Sequence, residues 1–288
     1  MSSSRSRLAS RGRAVALATS AVLTVAASLA AAGAAQAATL PTITLALTKT
    51  TVTVGGTLQS GGVNVVSTAT GTKEASPVLF LLKPGVSAPE FDAYLDTNKA
   101  SMDPNTAAKF GTIVFDSEAV PGTTNEAQTT LQPGQYVAFS AEGEKSSTWP
   151  RANFAVATAA SPAVLPTPQA TIRSIEFGFR GPSVLHVGEL VRFENEGFLV
   201  HMDVAFPAKS KSAAKKVLKG LETGHEKGLE KLAAGPPFTF AGPLSSGAYQ
   251  QETITAKPGW YVQACFMQTQ DGRVHTLLGM ERIIRIVK

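Results

Sequence analysis

Pro258-Gly259-Trp260-Tyr261-Val262-Gln263-Ala264-Cys265 reads as a turn feeding an aromatic, β-branched strand. Its opening has a counterpart in the first half of the chain, Pro133-Gly134-Gln135-Tyr136-Val137. Outward from these two stretches the correspondence continues. Each is followed by a closing apolar strand, Asn153 to Val156 and Arg282 to Val287. Near the start of each half an alternating strand ends in Val-Gly, at Val52-Thr53-Val54-Gly55 and at Leu185-His186-Val187-Gly188. This shared punctuation predicts that one β-domain occurs twice. The stretch from Thr158 to Gln169 has three prolines and no period, and reads as the linker between the copies.

Other strands follow a period of two. Ile43, Leu45 and Leu47 alternate with Thr44, Ala46 and Thr48, and Val191 and Phe193 alternate with Arg192 and Glu194. Such segments bury one face and wet the other. Short strands punctuated by Gly and Pro predict an all-β chain, with a sandwich or Greek-key barrel in each half. Each half also carries a short helical insertion. In the first, Ala88 to Lys99 and Asn105 to Phe110 fit short helices. In the second, Ser210 to Ala234 places Val217, Leu218, Leu221, Leu229 and Leu232 at helical spacing. Gly220, Gly224 and Gly228 recur there, and either bring one face close to the sheet or break the helix in two.

Residues 1–37 read as a signal peptide. Arg5, Arg7, Arg11 and Arg13 precede an uncharged run from Ala14 to Ala32, and Ala35-Gln36-Ala37 offers a cleavage site. Retention as a membrane anchor is the alternative. The chain has 26 basic and 21 acidic residues, and loss of those four arginines leaves 22 against 21. The basic excess therefore belongs mostly to the leader and does not point to nucleic acid or a membrane surface. The expected location is outside the cytoplasm, secreted or in the cell envelope.

Cys265 is the only cysteine. A lone thiol in an exported protein is either a buried small hydrophobe or a metal-bound thiolate. No Gly-rich phosphate loop, His-Glu-x-x-His or Gly-x-Ser-x-Gly occurs. Carboxylates are scattered, and aromatics are too dispersed for a stacking platform.

One constellation stands out in the second half. His201 follows Asn195 by a short turn and enters an apolar strand. Cys265 ends the strand opened by Pro258-Gly259. His275 comes after nine intervening residues, and Met280 follows it after Thr276-Leu277-Leu278-Gly279. Two imidazoles, a thiolate and a thioether are the donors of a mononuclear copper site. In Asn-x5-His, Gly-x-Tyr-x3-Cys and His-x4-Met the second half resembles the cupredoxin family, the plastocyanin and azurin type of blue copper domain. The resemblance implies a Greek-key β-sandwich, one-electron transfer, and His201, Cys265, His275 and Met280 as copper ligands. It further implies residues 38–157 as a metal-free cupredoxin-like copy, 158–169 as linker and 170–288 as the copper-binding domain.

The chain departs from the family in three places. Phe266 to Val274 separate Cys265 from His275 by more than small cupredoxins allow, although copper nitrite reductases have similarly long loops. Met202 stands where the family commonly has an Asn that pins the site. The insertion at 210–234 is larger than a small electron carrier needs. The first half cannot repeat the site, because residues 38–185 contain no His and Ser140 aligns with Cys265. With His186 and His225 as the remaining histidines, an additional all-His copper site lacks ligands, which argues against a nitrite reductase or multicopper oxidase. The expectation is thus an electron carrier or copper-handling module rather than an enzyme, with a redox partner protein. A metal-free secreted binding module is the alternative, and thiolate with imidazole also suits zinc.

Overall fold

The structure is a computed structural model that describes residues 39–288. The leader reading of 1–37 lies outside the described residues, apart from the sequence that prompted it. The first half has eight strands: β1 (Thr42–Leu47), β2 (Val52–Gly56), β3 (Gly61–Ala69), β4 (Pro77–Leu82), β5 (Gly111–Asp116), β6 (Thr124–Leu131), β7 (Gly134–Ser140) and β8 (Arg151–Val156). The second has nine: β9 (Ala170–Ile175), β10 (Gly178–Arg180), β11 (Val184–His186), β12 (Leu190–Asn195), β13 (His201–Ala208), β14 (Phe238–Leu244), β15 (Tyr249–Thr253), β16 (Gly259–Ala264) and β17 (Glu281–Val287). The all-β expectation holds, and the strands pair into tandem sandwiches.

The pairing repeats. In the first half the two layers run β2-β1-β3-β6 and β5-β4-β7-β8. In the second they run β10-β9-β12-β15 and β14-β13-β16-β17, with β11 added beside β17. β1 lies parallel to β3 as β9 lies parallel to β12, and each of the two has an antiparallel partner on its other side. The equivalent edges β6 and β15 meet through Gln128 and Gln251, so the first layers of both halves form one eight-stranded sheet. That contact covers two strand edges that would otherwise be open to other chains.

Period-two patterning places the cores. Ile43, Leu45 and Leu47 turn inward and pack with Leu79, Phe115 and Tyr136 between the layers of the first half. β4 is apolar at every position because both of its faces are covered. Leu79 faces the sandwich, whereas Val78, Phe80 and Leu82 face the helical insertion, made of α1 (Ala88–Leu95), α2 (Lys99–Met102) and a 3-10 turn over Pro104–Lys109. Phe80 stacks on Phe91 with centroids 4.2 Å apart. In the second half Val191, Phe193, Phe240 and Ile284 fill the sandwich. α3 (Lys211–Thr223) packs Ala214, Val217 and Leu221 on the outer face of β16 and β13.

The glycine repeat breaks the helix, and the close approach that it allows is to the segment after the helix, not to the sheet. A Cβ on Gly220 would stand 2.7 Å from Leu229, so this glycine permits close packing. Gly224, at φ +66°, ends α3, and a 3-10 turn over Leu229–Leu232 follows. His225, which helical spacing from Leu221 and Leu229 would place on the apolar face, therefore falls outside the helix and is exposed. The Pro-rich segment carries no strand but is pinned along β3, where Gly62 N–H donates to Ala163 O at 2.7 Å. No helix among the described residues is long and apolar enough to cross a membrane.

Candidate metal centre

The loop between β12 and β13 brings in the first imidazole. Asn195 builds that loop: its Oδ1 accepts from Gly197 N–H at 2.9 Å, and its Nδ2 donates to Leu199 O at 2.7 Å and Leu244 O at 2.8 Å. An Asn side chain closing a turn on its own backbone is a local motif that needs no distant partner. Glu176 holds the same loop from outside, its Oε1 accepting from Leu199 N–H at 2.8 Å and lying 3.2 Å from His201 Nε2. Gly197 has to be glycine, since a Cβ there would meet both Glu176 Oε1 and His201 Nε2 within 2.7 Å. Two register shifts at the start of β13 then re-aim His201.

Cys265 directly follows β16. The nine residues after it fold back as a tight hairpin, with Gln268 bridged to Val274 across the Asp271-Gly272 turn. His275 N–H donates to Met267 O at 2.8 Å, which returns His275 to Cys265. The long span between the two is thus accommodated by chain reversal. A 3-10 turn over His275–Leu278 ends at Gly279, at φ +94°, and delivers Met280. Met280 N–H donates to His275 O at 3.0 Å, and its carbonyl accepts from Cys265 N–H at 3.1 Å.

Three of the four predicted residues converge through side-chain donors. His201 Nδ1 and His275 Nδ1 are 3.2 Å apart, and Cys265 Sγ lies 3.8 Å from the first and 3.4 Å from the second. Met202 N–H points at the same sulfur at 3.4 Å. All three residues are buried, as is Met280, whose main chain is tied to two of them. Among the described residues this is the one cluster of three such groups. His186 and His225 are exposed and apart from it.

The electrostatics suit neutral donors. Burial pushes the Cys265 thiol up to about 12. Burial, then the facing His201, pulls His275 down to about 4. Burial also lowers His201, opposed by Glu176. Burial disfavours the Glu176 carboxylate, yet the hydrogen bonds from Leu199 and His201 hold it below its usual range. Beneath the site, burial raises Asp203 to about 7, and it is bonded by Gln263, which in turn accepts from Arg282 Nε at 2.6 Å.

The donors fit a soft metal ion. The centre of the triangle they form lies roughly 2 Å from each, the length of a metal–imidazole bond and slightly short of a metal–thiolate bond. Glu176 Oε1 accepts a hydrogen bond from His201 Nε2–H, so the Nδ1 lone pair faces inward. With the two Nδ1 atoms at hydrogen-bond distance, His275 must then donate from Nδ1. Its Nε2 is left buried without a partner. A cation in the triangle would take both Nδ1 lone pairs and move the His275 proton to Nε2, which has no protein partner in either tautomer. Sequence reasoning did not single out Glu176. It lies 25 residues before His201, and a lone Glu carries no motif.

No family model matches this chain, and no curated protein does. Among solved structures it is similar to a reduced auracyanin from Roseiflexus castenholzii, at 20% identity over 41% of this chain and 95% of that one, with a TM-score of 0.26. It is also similar to a copper-containing nitrite reductase from Thermus scotoductus SA-01, at 13% identity over 86% and 68%, TM-score 0.26. A multicopper oxidase matches at 10% identity over 85% and 88%, TM-score 0.24. Likenesses at that level decide nothing about function, which rests on the side chains themselves.

Proposed function

We propose that this chain is an exported cupredoxin-like protein that holds a single copper ion between His201, Cys265 and His275, with Met280 as the fourth ligand, and serves one-electron transfer or copper handling rather than catalysis. The convergence of two Nδ1 atoms and one Sγ within 3.8 Å of one another, all buried, carries this reading. Copper there supplies a one-electron couple, with thiolate favouring Cu(I) and imidazole suiting both states. Residues 38–157 and 170–288 are proposed as two domains joined by 158–169, the first a metal-free copy. Export is proposed from residues 1–37.

The chain's own residues prepare the site. Glu176 fixes the tautomer and ring of His201. The lowered imidazoles stay neutral and keep their lone pairs available. The Cys265 thiol is protonated without metal, so metal uptake expels about one proton. Phe198, 92% exposed, and Leu277, 45% exposed, stand on the loops that carry His201 and His275. They give an apolar rim on which a redox partner protein can dock.

The test is a titration of the chain lacking residues 1–37 with Cu(II), followed by visible absorption and competing Zn(II). An intense thiolate-to-copper band saturating at a single equivalent, not displaced by equimolar zinc, is expected. A colourless protein with Cys265 open to alkylation would favour the metal-free binding module, and zinc bound in preference to copper would make the site a zinc site.

A further inference from the structure

The two loops that carry the metal donors do not rest on the second half alone. Val200, next to His201, is buried among Phe91, Tyr94, Leu95 and Phe110, the apolar cluster of the first half's helical insertion. Met267, two residues after Cys265, packs against the same cluster. A cavity of about 360 Å³ lies along this seam, with Phe80, Phe91 and Trp149 on one wall and Met202, Phe266 and Met267 on the other. Beside it, a single side chain of the first half reaches both loops. Asn105 Oδ1 accepts from Val200 N–H at 2.6 Å, and Asn105 Nδ2 donates to Gln268 O at 3.4 Å.

The orientation of that amide is fixed from behind. Asp103 caps the 3-10 turn over Pro104–Lys109, its Oδ1 accepting from Asn105 N–H at 2.9 Å and from Asn105 Nδ2 at 2.9 Å. With the amide nitrogen held on Asp103, the amide oxygen has to face Val200. One hydrogen bond thus sets the height of the His201 loop, and another ties it to the loop between Cys265 and His275. We infer that Asn105 is a positioning residue for the metal centre, supplied by the half that has no ligands of its own. It clamps the loop at 196–200 to the hairpin at 266–274. This inference rests on reading His201, Cys265 and His275 as metal ligands. It makes the first half a working part of the site, not a vestige beside it.

Three variants of the full described chain test it: Asn105→Ala, Asn105→Asp and Tyr94→Phe. Asn105→Asp is isosteric and opens no hole, but it replaces the Nδ2 donor with a carboxylate oxygen 2.9 Å from Asp103 Oδ1, where the two like charges repel. Tyr94→Phe removes only the hydroxyl that meets Thr106 at 2.5 Å in the same insertion, and keeps the ring in the cluster that packs against Val200. Copper affinity and the rate of Cys265 alkylation in metal-free protein are read for each. Asn105→Ala is expected to weaken copper binding about ten- to a hundredfold and to speed alkylation. Asn105→Asp should shift both in the same direction by a similar amount, because its carboxylate is repelled by Asp103, and Tyr94→Phe should leave both unchanged. Wild-type affinity and alkylation in both Asn105 variants would overturn the inference, and so would Tyr94→Phe loosening the site as much as Asn105→Ala. Absence of copper binding in the wild-type chain would instead overturn the reading of the ligands, because alkylation reports the clamp without metal.

Discussion

The two halves carry the same framework around different side chains. Phe139 and Ala264 hold corresponding places, pairing with Val78 and Val204 on one side and with Arg151 and Glu281 on the other. The neighbouring positions then correspond as well. Ser76 N–H donates to Ser140 Oγ at 3.3 Å, where Met202 N–H faces Cys265 Sγ at 3.4 Å. Ser140 N–H donates to Pro150 O at 3.1 Å, where Cys265 N–H donates to Met280 O at 3.1 Å. Ala75, Ser140 and Pro150 thus occupy the places of His201, Cys265 and Met280. The buried Ser146, which starts a 3-10 turn as His275 does, donates to Leu95 O at 2.6 Å. Each half also ties its strand entry with a tyrosine hydroxyl bonded four residues back, Tyr136 to Gln132 and Tyr261 to Lys257. The backbone pattern that positions the donors therefore persists without them, and no metal is needed to hold it. What the second half adds is side-chain chemistry and the longer hairpin that returns His275.

The largest predicted effect comes from making the second half like the first. Cys265→Ser puts the first half's residue at the thiolate position. It should abolish the visible band and lower copper affinity by more than about a hundredfold, while the melting temperature of the metal-free chain stays close to wild type. A large fall in that temperature would mean that the thiol is mainly a core residue. Next comes Glu176, which has no counterpart in the first half's loop. Glu176→Gln keeps the shape and weakens the charge-assisted bonds to His201 and Leu199. A loss of about ten- to a hundredfold in copper affinity is expected by isothermal titration. Unchanged affinity would show that His201 holds its tautomer unaided.

A smaller effect is expected at the seam between the halves. Burial pushes Asp116 well above its usual value, with Ser76 Oγ donating to it at 3.0 Å and Gly242 leaving room for its carboxyl. A carboxyl raised in the folded state stabilises fully below its unfolded pKa of about 3.9. That stability is lost as pH rises toward the folded value, by up to about 1.4 kcal/mol per pH unit. Asp116→Asn should flatten this decline in melts taken between pH 5 and pH 8, and an unaltered slope would count against it. The smallest effect is Ser140→Cys. It restores a thiol in the first half without any imidazole nearby, and should bind no additional copper in a metal-to-protein assay. Uptake of a second equivalent would break the claim that the first half cannot form the site.

The sequence made the repeat legible because Pro-Gly turns and period-two strands are local signals, and the equivalence of β7 in one half to β16 in the other follows from them. His201, Cys265 and His275 were legible from residue type and order. Asp271-Gly272 is a local turn signal, but the return of His275 to Cys265 was not legible, because it depends on the bonds of Thr269 to Arg273 and of His275 to Met267. Glu176 and Asn105 were not legible either. Each acts across a long separation, 25 residues to His201 and 95 to Val200, and neither residue type is rare. The joining of the layers through Gln128 and Gln251 is hidden for the same reason. Where the resemblance leads one to expect an Asn beside His201, Met202 stands, and the pinning amides are Asn195 and Asn105.

X-ray absorption at the copper edge of the loaded protein tests the central claim most directly. The account predicts two nitrogen donors at about 2.0 Å and one sulfur at about 2.3 Å, with the sulfur shell lost in Cys265→Ser. A shell of oxygen and nitrogen alone, unchanged by Cys265→Ser, would contradict it.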